Sequence, residues 1–132
     1  MIDTRLNALA DGLVNYSCQV QKGEKVLIEA IGIDYMLVNE IVKYVYKAGG
    51  FPFVKVVDPR INRQILLGTN KEHCELLAKY EGYRMQDMDC YIGIRGGNNS
   101  SENSDVPSQN LQIYNSLYRD PVHSDLRVNG TK

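Results

Sequence analysis

"KVLIEAIGIDYMLVNEIVKYVYKAGGFPFVKVV", residues 25–57, decides the fold class. It opens with Lys25-Val26-Leu27-Ile28-Glu29, a short run of apolar and β-branched residues that reads as a strand. It closes with a second strand, Phe51-Pro52-Phe53-Val54-Lys55-Val56-Val57; Pro52 cannot donate to a ladder, which places this strand at a sheet edge. Between them the spacing predicts a helix from about Asp34 to Ala48, stopped by Gly49-Gly50. Strand, helix and strand in this order form a crossover unit, which joins parallel strands.

The helix is more apolar than a surface helix needs. Asn39, Glu40, Lys43 and Lys47 are its polar positions, and an apolar band of that width exceeds a single core-facing stripe. Two explanations follow: both sides pack within this domain, or one is covered by another domain or subunit.

Outward from this unit the same alternation continues. Asp3 is a cap for a first helix, with Leu6, Leu9, Ala10, Leu13 and Val14 on one face. Asp58-Pro59 opens a helix through Leu67. Thr69-Asn70-Lys71-Glu72 has the form of a capping box and starts a helix to about Tyr83. Cys90 to Arg95 is a third strand, and Pro107 opens a helix carrying Leu111, Ile113, Tyr114 and Leu117. Asp120-Pro121 breaks that helix, and Leu126 to Lys132 resembles the approach to a further strand, so the end reads as a cut. The order α, β, α, β, α, α, β, α implies a three-layer α/β fold: a mainly parallel sheet with helices on both faces, doubly wound in the flavodoxin-like manner. With the first strand central, the ligand crevice falls between the first and third strands, where the loops 30–34 and 96–106 face each other.

Composition narrows the function classes. With 132 residues the chain is one ordinary domain. A net charge of -1 without basic runs argues against nucleic acid. No apolar stretch reaches the roughly 18 residues of a membrane span, and the N-terminus lacks the basic and apolar regions of a leader. Three scattered cysteines fit reduced thiols, and the expected location is the cytoplasm.

Catalytic constellations are missing at the level of sequence. The loop "RGGNNSSENSDV" after the third strand is rich in glycine and polar residues, but neither spaced-glycine phosphate motif is present. Arg95 with the amides of Gly96 and Gly97 offers an anion site; the plainer reading is a turn beside a strand-end charge, and it is favoured. His73-Cys74 lies inside a helix, where adjacent residues point to different sides. His123-Ser124-Asp125 has no further ligand at metal spacing. Asp34 and Asp58 stand where a phospho-acceptor would, and capping explains both. Ser17, Ser100 and Ser101 have no histidine nearby to act as base. No catalytic, cofactor or metal residue is assigned.

Four segments carry a resemblance: "LADGLVNYSCQVQKGEKVLIEA" (9–30), "YVYKAGGFPFVKVVDPRINRQIL" (44–66), "DCYIGIRGGNN" (89–99) and "PVHSDLRVNGTK" (121–132). In this order they resemble the N-terminal domain of the thermophilic-aminopeptidase (aminopeptidase T-like) family of metallopeptidases. The resemblance implies a longer cytosolic parent that removes N-terminal residues from peptides. Two divalent metals, zinc or cobalt, would there activate water and polarise the scissile carbonyl. It implies that the metal ligands lie in a C-terminal domain absent from this chain, so residues 1–132 form a single non-catalytic N-terminal domain without cofactor. Arg95, Asn98 and Asn99 are then expected to face the cleft between domains and bound the peptide space. The partners implied are a peptide, the C-terminal domain and, through the second helix, a second copy. Two other readings stand beside this one: a free-standing flavodoxin-like module for a small anion, and a structural or oligomerisation domain.

Overall fold

The computed structural model describes residues 4–32, 35–96 and 106–119. In chain order these are α1 (Thr4–Asp11) with a π-helical continuation (Gly12–Ser17), β1 (Lys25–Ile31), α2 (Tyr35–Lys47), β2 (Phe51–Val57), α3 (Pro59–Gly68), α4 (Lys71–Gln86), β3 (Cys90–Arg95) and α5 (Ser108–Tyr114), which continues as a π-helical turn (Asn115–Arg119). The fold is α/β, as the alternation implies, and its parallel strands form an open sheet in the order β2-β1-β3. β1 is central and β2 is an edge, as Pro52 requires.

The described residues form two compact units, one holding the sheet (up to Val56, and Met88–Gly96) and one holding α3, α4 and α5. In the first, the core is one face of the sheet closed by helices. Val26, Ile28 and Ala30 of β1 and Cys90 and Ile92 of β3 pack with Ala10 and Val14 of the first helix and with Leu37, Val38, Ile41 and Val45 of α2. The apolar width of α2 is therefore largely absorbed within this unit, although Tyr35 and Tyr46 remain exposed. The first helix is not regular throughout: it widens at Gly12 into the π-helical turn, which Cys18 N–H closes on the Leu13 carbonyl, and beyond it Val20 N–H donates to the Val14 carbonyl.

The turn between α2 and β2 shows why two glycines are needed. Gly49 is left-handed, φ +85°, and Gly50 N–H returns to the Val45 carbonyl to close the helix. A Cβ on Gly50 would stand 2.9 Å from Val20 Cγ1. The next amide, Phe51 N–H, donates to the Glu24 carbonyl at 2.8 Å and starts the edge pairing.

Register between β1 and β3 is pinned at both ends. Lys25 N–H donates to the Asp89 carboxylate at 2.8 Å while Asp89 N–H donates to the Lys25 carbonyl at 2.9 Å. Val26 then stands beside Cys90 and the pairing runs to Ile31 beside Arg95, where Gly96 N–H donates to the Ile31 carbonyl.

In the second unit, Asn110 Nδ2 donates to the carbonyls of Leu66 and Leu67 at 2.9 and 3.2 Å, satisfying the C-terminal end of α3 from α5. The capping of α4 differs from the sequence reading by one residue. Asn70, not Thr69, is the N-cap, its side chain accepting from His73 N–H at 2.9 Å. The Thr69 hydroxyl instead meets side chains of α4, and the helix runs on to Gln86 rather than ending near Tyr83.

Candidate functional site

Glu29, Lys55 and Tyr91 each interrupt an otherwise apolar strand, and the sheet brings the three together. The Tyr91 hydroxyl donates to Glu29 Oε1 at 3.1 Å, and Lys55 Nζ lies 3.7 Å from Glu29 Oε2. Glu29 is only 5% exposed, and a carboxylate that deep is tolerated because one oxygen accepts from the Tyr91 phenol while the other faces the Lys55 ammonium at ion-pair distance. The register sets the geometry: Leu27 stands beside Tyr91 and Glu29 beside Gly93. Tyr91 therefore starts one step behind Glu29 on the same face, and its ring runs along β3 over Gly93. A Cβ on Gly93 would lie 2.8 Å from the Tyr91 hydroxyl, so only glycine leaves the ring its place. This group neutralises charge and ties three strands; it holds no nucleophile.

Arg95 follows on the same face of β3, exposed, at the carboxyl end of the strand. That end lies beside the end of β1, where the strand order reverses and open α/β sheets take ligands. Among the described residues no carboxylate pairs with Arg95. The anion cradle read from the sequence is reduced here, because the Gly96 amide is committed to the Ile31 carbonyl at 2.9 Å. Asn98 and Asn99, like Asp34, His123 and Asp125, lie outside the described residues.

The other sequence candidates resolve into structure. Asp58 caps α3, accepting from Arg60 N–H at 2.9 Å, and its carboxylate also takes the Arg60 guanidinium at 3.1 and 2.8 Å. The Arg60 side chain, and then the Arg60 backbone amide, hold the Asp58 pKa down at about 2. Cys74 is fully buried, and Thr69 Oγ1 sits 3.3 Å from its Sγ and 3.0 Å from His73 Nδ1. Thr69 thus links the end of α3 to the start of α4. Cys18 and Cys90 are buried in the other unit.

The described residues do not fit a metal centre: among them no three His, Cys, Asp or Glu side chains gather. No step of metal-assisted hydrolysis is therefore assigned to them. No described helix is long and apolar enough to cross a membrane.

Comparison with known proteins supplies what the geometry alone does not. The sequence matches the model of the thermophilic metalloproteases, family M29, over residues 2–126. The chain belongs to the M29 family. A solved structure, wild-type AmpT from Thermus thermophilus, superposes on this M29 chain with a TM-score of 0.71 at 14% identity. The match covers 94% of this chain and 32% of the AmpT chain, so the M29 chain described here spans about a third of that relative. At that identity the likeness bears on the fold. No curated protein sequence matches the chain.

The Glu29, Lys55 and Tyr91 group was not anticipated from the sequence, although a signal was there. One ionisable or phenolic residue stands inside each apolar strand, and Gly93 follows Tyr91 at the same-face spacing.

Proposed function

We propose that this chain is the N-terminal, non-catalytic domain of a cytosolic metal-dependent aminopeptidase that removes N-terminal residues from peptides. The observation that carries the reading is the M29 match along nearly the whole chain, taken with its coverage of only 32% of the AmpT chain. On this reading a C-terminal domain of the same polypeptide supplies the ligands for two divalent metals, zinc or cobalt. Residues 1–132 contribute one wall of the peptide space through Arg95, Asn98 and Asn99. Their work is positioning. The end of β3 suits that work because the ladder fixes it on both sides of Arg95, through Ile31 and Gly96.

Calorimetric titration of the purified 132-residue chain with zinc and with cobalt tests the division of labour. Weak, non-stoichiometric heats are expected. Stoichiometric binding of either metal would mean that the centre, or part of it, lies in this chain, and the non-catalytic assignment would be withdrawn.

A further inference from the structure

The sheet face that carries Arg95 also carries Glu29, and the two are not used on each other. Glu29 accepts from Tyr91 and faces Lys55, so the buried carboxylate on this face is already balanced. Arg95 stands exposed at the carboxyl end of β3, with no carboxylate partner among the described residues. Its backbone cannot drift, since Ile31 pairs with it and the Gly96 amide is tied to the Ile31 carbonyl. The position is the switch point of the sheet, between β1 and β3, where open α/β sheets bind ligands. An exposed arginine whose backbone is fixed at a strand end presents a guanidinium of the kind that recognises a planar carboxylate bidentately.

We propose that Arg95 is a specificity-determining residue that pairs with the free C-terminal carboxylate of a short peptide substrate. The inference rests on the aminopeptidase reading above and adds a substrate class to it. The C-terminal carboxylate of a tripeptide is remote from its N-terminal amine and from the bond an aminopeptidase cuts, so the pairing acts on binding. A peptide with a blocked or distant C-terminus forfeits the pairing. The Gly96 amide does not assist, because its hydrogen is taken by Ile31.

The test uses this chain extended to the natural end of its gene, as the aminopeptidase reading requires, with leucyl-glycyl-glycine and its C-terminal amide as substrates. The wild-type protein is expected to favour the free acid about tenfold in kcat/KM, through KM. Arg95→Gln should abolish that ratio, and Arg95→Lys should keep part of it. A wild-type enzyme that cleaves acid and amide alike, or an Arg95→Gln ratio unchanged from wild type, overturns the role of Arg95 while leaving the aminopeptidase reading intact. Failure to cleave either peptide overturns both. Circular dichroism of each variant establishes that the exposed substitution leaves the fold in place.

Discussion

The Tyr91 phenol crosses Gly93 to donate to Glu29 at 3.1 Å, so a side chain of β3 satisfies a carboxylate buried on β1. The residues are 62 positions apart in sequence and meet only because the parallel register sets Glu29 beside Gly93. Hydrogen bonds to a charged acceptor contribute about 1.5–3 kcal/mol. Tyr91→Phe is therefore expected to destabilise the fold by about that amount in urea unfolding, with the denaturant slope unchanged. A loss below about 0.5 kcal/mol would show that water replaces the phenol freely and that the bond contributes little.

Gly93→Ala tests the same arrangement from the other side. The added Cβ displaces the end of a flexible ring, not backbone, so the cost should be moderate, about 1–2 kcal/mol. It should shrink when Tyr91 is already alanine, because the atom that is struck has gone. Equal costs in both backgrounds would locate the strain elsewhere.

Gly50→Ala should be worse tolerated than Gly93→Ala. Its Cβ meets Val20 Cγ1 at 2.9 Å and Val45 Cγ1 at 3.2 Å, both in the core, and the Glu24 carbonyl at 3.2 Å. A loss of about 2–3 kcal/mol is expected from thermal or urea unfolding. Stability within about 0.5 kcal/mol of wild type would mean that the α2–β2 turn moves aside without resistance.

The pH dependence of Asp58 follows from its cap. The folded pKa lies at about 2 against an ordinary value of 3.8, held down first by the Arg60 side chain and then by the Arg60 amide. The depressed value means the contribution to stability is complete above the ordinary value and is lost as pH falls through about 2. Carboxyl-carbon NMR titration should give a midpoint near 2, moving up towards 3.8 in Arg60→Ala. A wild-type midpoint near the ordinary value would contradict the capping geometry.

How much was legible depended on how local the cause was. Lys47-Ala48-Gly49-Gly50 reads as a helix stop because the left-handed residue and the close approach lie within the turn itself. Asp58-Pro59 reads as a cap for the same reason, and Pro52 places β2 at the edge because a missing donor has few places to go. One-residue ambiguity defeated the α4 cap: Thr69 and Asn70 are both good caps, and the choice fell to Asn70 once Thr69 was drawn between His73 and Cys74. The widening of the first helix at Gly12 leaves no mark in its apolar spacing, since Leu13 and Val14 still fall on the inner side. Glu29, Lys55 and Tyr91 were each visible as interruptions of an apolar run. Their meeting was not, because it depends on strand order and register, which no short stretch of sequence contains. Arg95 was legible as a strand-end charge, while the engagement of the Gly96 amide beside it needed the ladder.

Hydrolysis of a leucine chromogenic amide with added zinc or cobalt, run on the 132-residue chain beside a longer protein extended to the natural end of its gene, decides where the chemistry lies. The expected result is turnover by the longer protein and none by the 132-residue chain. Turnover by the 132-residue chain itself, or none by either, would contradict the assignment of this chain as the non-catalytic N-terminal domain of an aminopeptidase.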